Sequence, residues 1–217
     1  MKKILLPIVL SLIAIVSAHA QKSVMINAYG AYVFDDQFDT YWGSSNYYVE
    51  GKIVGGFQWG AGIEVKLRED TGVELIYFRQ DTEARLYSPN NIGVLQDDKI
   101  DLGINYIMLA GVRYLPVNSE KLEPYAGLML GMAIYSNKNP EFNQETSKTK
   151  FAWGFRLGSN IWVSEKVGIK IQAILLSSVQ GAGGGLYFGT GGTGAGVSSY
   201  STLYQFSLGG GLVYKIK

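Results

Sequence analysis

The chain has 217 residues, 19 Lys+Arg against 18 Asp+Glu, one His, 28 Gly and no Cys. Near-neutral charge removes the basic surface that nucleic-acid binding needs, so no nucleic-acid partner is expected. Without cysteine there are no thiolate nucleophiles, disulfides, Cys-bound zinc or iron–sulfur clusters.

The first element is an address. Lys2 and Lys3 precede an apolar run from Ile4 to Val16, and Ser17-Ala18-His19-Ala20 follows. A short basic region, an apolar core and an Ala-x-Ala end form the layout of a secretory signal peptide. Cleavage is expected between Ala20 and Gln21, leaving a single domain over 21–217. Removing 20 of 217 residues leaves 197, and loss of Lys2 and Lys3 takes the charge from +1 to −1. His19 leaves with the leader. A mature chain without His or Cys has no Ser-His-Asp triad, Cys-His pair or His-zinc site. No catalytic residues, metal or cofactor are expected, and the protein is read as no enzyme.

Eight segments then alternate with a period of two: 23–34, 53–66, 72–85, 99–114, 122–135, 150–163, 167–180 and 201–217. Most exceed the ~5–6 residues of an ordinary strand. In 53–66, Ile53, Phe57, Trp59, Ala61, Ile63 and Val65 oppose Gln58, Gly60, Gly62, Glu64 and Lys66. In 99–114, Ile100, Leu102, Ile104, Tyr106, Met108, Ala110 and Val112 oppose Asp101, Gly103, Asn105, Gly111 and Arg113. The connections alternate long and short: 35–52, 86–98, 136–149 and 181–200 are long, while 67–71, 115–121 and 164–166 are short. That order describes an all-β, eight-stranded, antiparallel, up-and-down transmembrane β-barrel with every short turn at one end. The apolar face is expected towards lipid. Aromatics form two expected girdles: Tyr32, Phe34, Tyr135, Phe151, Trp153, Tyr204 and Phe206 near the long loops, and Tyr106, Tyr114, Tyr125, Trp162 and Tyr214 near the short turns.

The opposite face supplies a candidate lumen charge network: Glu64, Lys66, Glu74, Asp101, Arg113, Glu123, Arg156 and Lys170. Buried charges persist when paired, and an eight-stranded barrel is narrow enough for side chains to fill. A salt-bridge plug with no permanent pore is therefore expected, with Arg113 and Glu123 facing each other across a hairpin. In the loops, Tyr41, Trp42, Tyr47 and Tyr48 accompany Asp35, Asp36 and Asp39, and Leu186, Tyr187 and Phe188 stand within a segment of nine glycines. The acids lack the spacing of a calcium loop. These aromatic and apolar loop residues are the candidate contacts for a partner.

Three stretches carry a family resemblance: Glu123-Pro124-Tyr125-Ala126-Gly127-Leu128-Met129-Leu130-Gly131, Phe151-Ala152-Trp153-Gly154-Phe155-Arg156-Leu157-Gly158 and Ser164-Glu165-Lys166-Val167-Gly168-Ile169-Lys170. The chain resembles the small outer-membrane β-barrels that include OmpX, OmpW and the opacity proteins, porin-like barrels of Gram-negative bacteria. The resemblance implies residence in the outer membrane, contact with membrane lipid and lipopolysaccharide, and a structural or interaction role through extracellular loops. The last strand resembles the family's assembly signal for the barrel-insertion machinery through Ser207, Gly209, Leu212 and Tyr214. The chain ends in Lys217, where many proteobacterial members end in Phe or Trp. Membership of a secretion or assembly complex with a protein partner, as in the PorT-like barrels of Bacteroidetes, is an alternative reading. A narrow channel for small solutes is another.

Overall fold

The computed structural model describes residues 23–42, 47–89, 95–119, 121–139, 144–179, 185–189, 192–196 and 203–216; within these, 37–42, 47–51, 84–89, 95–100, 137–139, 144–146, 185–189, 192–196 and 203 are described as backbone alone. The expected signal peptide lies outside the described residues.

Every element among the described residues is a strand. They are β1 (Val24–Val33), β2 (Asp36–Trp42), β3 (Tyr47–Ile53), β4 (Gly56–Arg68), β5 (Thr71–Pro89), β6 (Leu95–Tyr114), β7 (Leu122–Asn139), β8 (Gln144–Trp162), β9 (Val167–Ser178), β10 (Gly185–Gly189), β11 (Gly192–Gly196) and β12 (Leu203–Lys215). Eight of them close a barrel in the order β1-β4-β5-β6-β7-β8-β9-β12, with every pair antiparallel. A walk along paired residues from Val24 passes Val65, Val73, Gly111, Leu128, Phe155, Leu175 and Phe206. It meets β1's end again at Phe34, whose N–H donates to Phe206 O at 2.9 Å. That stagger is what tilts strands enough to close a narrow barrel.

The long connections are largely strand. β2 and β3 pair from Asp36↔Ile53 to Trp42↔Tyr47, and β3 stands beside β5 above β4. The β5–β6 ladder runs to Pro89↔Leu95 and the β7–β8 ladder to Asn139↔Gln144. This corrects the expectation of long loops at 35–52, 86–98 and 136–149. Along these segments the apolar alternation of the sequence fades while backbone pairing continues. β5 to β8 have 18 to 20 residues each, against ~9–11 for a tilted crossing.

The outer wall is apolar. Ile26, Phe57, Ile63, Leu75, Leu109, Leu128, Leu157, Ile171, Leu208 and Leu212 all project outward and are exposed, from every barrel strand. A band of this extent is stable only against lipid. The strands therefore cross a membrane, apolar face outward, as the alternation predicts.

One strand is turned the other way from its expected placement. On β6, Ile104, Tyr106, Met108, Ala110 and Val112 are buried inside, and Ile107 and Leu109 face lipid. Only in the middle of β6, where Ile107 and Leu109 oppose Tyr106, Met108 and Ala110, are both faces apolar; towards its ends Asp101, Gly103, Asn105, Gly111 and Arg113 share the outward face and gave the strand the wrong apparent orientation. Its neighbour sets the orientation: Ala110 pairs with Glu74, and Met108 with Ile76, on the interior side. Inside, Met108 fills room left by Gly131, where a Cβ would come within 2.9 Å of the Met108 sulfur.

The aromatic girdles need a matching correction. On the long-loop side the expected Tyr32, Phe34, Phe151, Tyr204 and Phe206 do face outward, and Phe57 and Trp59, which were not expected there, face outward as well. Trp153 joins them edge-on to Phe155 and Tyr204, while Tyr135 turns inward to Ser178. Of the aromatics expected on the short-turn side, Tyr214 faces out, but Tyr114 and Tyr125 are buried in the lumen, Trp162 packs against their cluster, and Tyr106 is buried in the apolar cluster nearer the long hairpins. Their hydroxyls and indole have polar partners there, which a lipid-facing position would not supply.

Candidate functional site: the sealed lumen

The interior is layered. At its centre lie four charged side chains, Glu64 on β4, Glu74 on β5, Arg156 on β8 and Lys170 on β9, each no more than 1% exposed. Period-two geometry puts them inside, because Ile63, Leu75, Phe155, Leu157, Ile169 and Ile171 beside them take the lipid face. Arg156 Nη2 stands 2.6 Å from Glu74 Oε2, and Lys170 Nζ 3.4 Å from Glu64 Oε2. Asn27 Nδ2 donates to Glu74 Oε1 at 2.7 Å, and Tyr29 OH donates to that oxygen too. Tyr114 OH donates to Glu64 Oε1. The Lys170 ammonium lies 5.0 Å from the Tyr125 ring centroid, and the Arg156 guanidinium 5.4 Å from it.

Small residues make this layer possible. A Cβ at Gly62 would sit 2.1 Å from Glu74 Oε1, and one at Gly127 would sit 3.0 Å from Arg156 Nε. Two carboxylates and two cations neutralise one another, and the hydroxyl and amide donors satisfy oxygens the cations leave open. Without such pairing these charges would not remain ionised away from water.

Towards the short turns a third pair, Lys66 with Glu123, closes the mouth. Asn160 Nδ2 donates to Glu123 Oε2 at 3.0 Å and Trp162 Nε1 at 3.3 Å. Lys66 also lies 4.0 Å over the Tyr114 ring. Towards the long hairpins the charges give way to an apolar layer of Tyr29, Ile76, Phe78, Tyr106, Met108, Met129, Ile174 and Leu176. The lumen is thus charged in one part and apolar in another, not charged throughout.

Of the eight residues expected in the lumen network, Glu64, Lys66, Glu74, Glu123, Arg156 and Lys170 are brought together there. Asp101 and Arg113 are not: both lie on the outer face of β6. Asp101 is exposed and pairs in register with Glu83 and Lys138. Arg113 reaches Asp70 Oδ2 at 2.8 Å and Thr71 Oγ1 at 3.2 Å. The expected Arg113–Glu123 contact fails because Arg113 stands opposite Ala126, and Glu123 opposite Asn160 on the other face.

The network also recruits Asn27, Tyr29, Tyr114, Tyr125, Asn160 and Gln172, the last accepting from Tyr125 OH at 2.8 Å. Sequence did carry one signal: Tyr125 is two residues from Glu123 and must share its face.

The remaining candidates are placed without a shared site. Ser207 is buried inside β12 and Leu212 and Tyr214 face lipid. Gly209 lies at the β1–β12 seam, where a Cβ would be 2.3 Å from Gly30 O. Tyr41 and Trp42 lie on β2, Tyr47 and Tyr48 on β3, and Leu186, Tyr187 and Phe188 on β10; their side chains lie outside the described residues.

No family model matches the sequence, and no curated protein matches it. Solved structures that share its architecture include two outer-membrane barrels. Neisserial surface protein A is 14% identical with a TM-score of 0.56, over 90% of this chain and 99% of that one. OprG, an outer membrane protein from Pseudomonas aeruginosa, is 13% identical with a TM-score of 0.58, over 91% and 97%. At this identity the likeness concerns fold, and on that ground the chain is an eight-stranded barrel with the fold of the small outer-membrane proteins.

Proposed function

We propose that this protein is a non-enzymatic component of the outer membrane of a Gram-negative bacterium, acting through its extracellular hairpins and not through a pore. The observation that carries this is the contrast between the two ends of the same strands. Inside the membrane the lumen is sealed by Glu74–Arg156 and Glu64–Lys170, both buried. Beyond it, β5 to β8 continue as paired ribbons, which carry the backbone well clear of the lipid. Lipopolysaccharide, a surface or a protein partner is the class of ligand such ribbons meet. The barrel-insertion machinery is the partner during assembly, through the Ser207, Gly209, Leu212 and Tyr214 pattern.

The absence of histidine after Gln21 supports the non-enzymatic reading, because imidazole is the commonest general base near neutral pH. Purified protein in a planar bilayer is expected to show no large, steady conductance; a stable open level overturns the sealed-lumen reading. Pull-down from mild detergent tests the partner: a stoichiometric co-purifying protein assigns it to an outer-membrane complex, and lipopolysaccharide alone assigns it to the lipid surface.

A further inference from the structure

The upper aromatic girdle is broken at one place. The walk along paired residues climbs from Val24 to Phe34 in one circuit, so a level line round the barrel falls by about one residue per strand. At the height of Tyr32 that line meets Trp59 on β4, Ile107 on β6, Met132 on β7 and Phe206 on β12, all exposed on the outer wall. On β5 it meets Arg79, which lies between the inward Phe78 and Gln80 and so faces out as well. An arginine at the edge of the hydrocarbon is costly, and such residues mark functional sites.

This arginine is held in place. Nη1 donates to Asn105 Oδ1 at 2.9 Å, Nε donates to Asp81 Oδ1 at 3.0 Å, and Nη2 donates to that same carboxylate oxygen. Tyr77 OH donates to Asn105 Oδ1 at 2.7 Å, and the Tyr77 ring stands edge-on to Trp59. The guanidinium lies over Gly103, where a Cβ would come within 2.9 Å of Nη2. These bonds use three of the five N–H groups of a guanidinium. The side chain is still 30% exposed, so the other two are open to the outside.

An open groove of about 450 Å³ begins here on the outer wall, lined in part by Arg79, Asp81, Glu83, Asp101, Gly103 and Ser136. Below it Leu75, Ile107, Leu109 and Leu130 are apolar and exposed. Upward from the membrane the order is therefore aliphatic wall, guanidinium, then carboxylates and a hydroxyl. Each level selects. The guanidinium repels a cation and takes a phosphate through its two open donors. The carboxylates above repel a second anion and accept from hydroxyls. A glycerophospholipid ends close above its phosphate, whereas a phosphorylated glycolipid carries sugars there.

We propose that the Arg79 notch on the outer face of β5 and β6 seats one lipopolysaccharide molecule, with a phosphate on Arg79 and sugar hydroxyls along the groove over Gly103. This rests on the reading of the protein as an outer-membrane component that meets lipopolysaccharide, and it names the place.

The probe is bis-phosphorylated lipopolysaccharide without O-antigen, titrated into the purified protein in zwitterionic micelles free of divalent cations and followed by tryptophan fluorescence. Saturable binding is expected. Arg79→Gln should weaken it about tenfold, the equivalent of losing one charge-assisted hydrogen bond. Gly103→Ala, whose methyl group displaces the guanidinium, should weaken it too and serves if the first variant folds poorly. Arg113→Gln, at the opposite end of the barrel, should bind like the parent. Dephosphorylated lipopolysaccharide and phosphatidylglycerol should both bind more weakly than the intact glycolipid. Equal binding by the parent and both notch variants, or phosphatidylglycerol binding as tightly, overturns the seat and leaves lipopolysaccharide contact elsewhere standing. No saturable binding by the parent overturns both, while a co-purifying protein partner would still support the broader outer-membrane role.

Discussion

Arg156 and Glu74 come from strands on different sides of the barrel and meet at 2.6 Å with both side chains fully buried. Neither residue is near the other in sequence, and neither charge reaches water. Their pairing, with Lys170 and Glu64 beside it, fills the centre of the cylinder of strands with buried charge. It also makes the interior sensitive to single substitutions in a way that surface charges are not.

Removing one member should therefore be costly. Glu74→Leu leaves Arg156 buried without its carboxylate, a change worth about 3–5 kcal/mol in other buried pairs. Arg156→Met should cost a comparable amount. The double variant is expected to be more stable than either single one, because no charge is left unpaired. Urea unfolding in lipid vesicles, followed by tryptophan fluorescence, measures all three, and additive losses would contradict the pairing.

An exposed pair gives the contrast. Arg113 and Asp70 are 2.8 Å apart, with side chains 64% and 44% exposed. Pairs in this setting contribute about 0–1 kcal/mol. Arg113→Ala should thus leave the unfolding midpoint close to that of the parent chain. A loss similar to that of Arg156→Met would place Arg113 inside after all.

The face assignment of β6 is open to a direct test. Leu109 projects into lipid and Leu208 does so from β12. Arginine at either position is expected to cost about 2–4 kcal/mol near the bilayer midplane. The gel shift between unboiled and boiled samples reports the folded fraction, and both variants should lose it. Normal assembly of Leu109→Arg would restore the opposite orientation of β6.

Gly62 links backbone to network. A Cβ there would lie 2.1 Å from Glu74 Oε1, so Gly62→Ala must push the carboxylate off its present position. Overpacking of this sort costs about 1–3 kcal/mol. Gly111, where a Cβ would meet nothing within 4 Å, is the control, and Gly111→Ala should unfold at the parent temperature. Thermal melts of the two variants side by side make the comparison.

The eight barrel strands, the three short turns and the apolar outer surface were legible in the sequence, while the added strands β2, β3, β10 and β11 and the extended hairpins were not. The first three follow from local rules: side chains alternate along any strand, and turn residues mark where strands end. Glu64, Glu74, Arg156 and Lys170 were legible too, because each has strongly apolar flanking residues that claim the lipid. On β6 the polar residues at the strand's ends lie on the outward face while large apolar residues fill the lumen, so alternation pointed the wrong way. Asp101 and Arg113 were misplaced for that reason, and Tyr106 with them. Tyr114 and Tyr125 suit a lipid headgroup as well as a carboxylate, so their composition did not decide between girdle and lumen.

Register is the other limit. A shift of one residue moves every side chain of a strand to the other face, and register across a barrel is set by all eight ladders closing together. Only that closure puts Gln58 opposite Gln80, sets Arg113 opposite Ala126, and brings Arg156 to Glu74. The sequence by itself determined that a closed antiparallel barrel with a lipid-facing wall would form. Which charges pair inside it was decided by closure, since those contacts join residues that only the completed circuit makes neighbours.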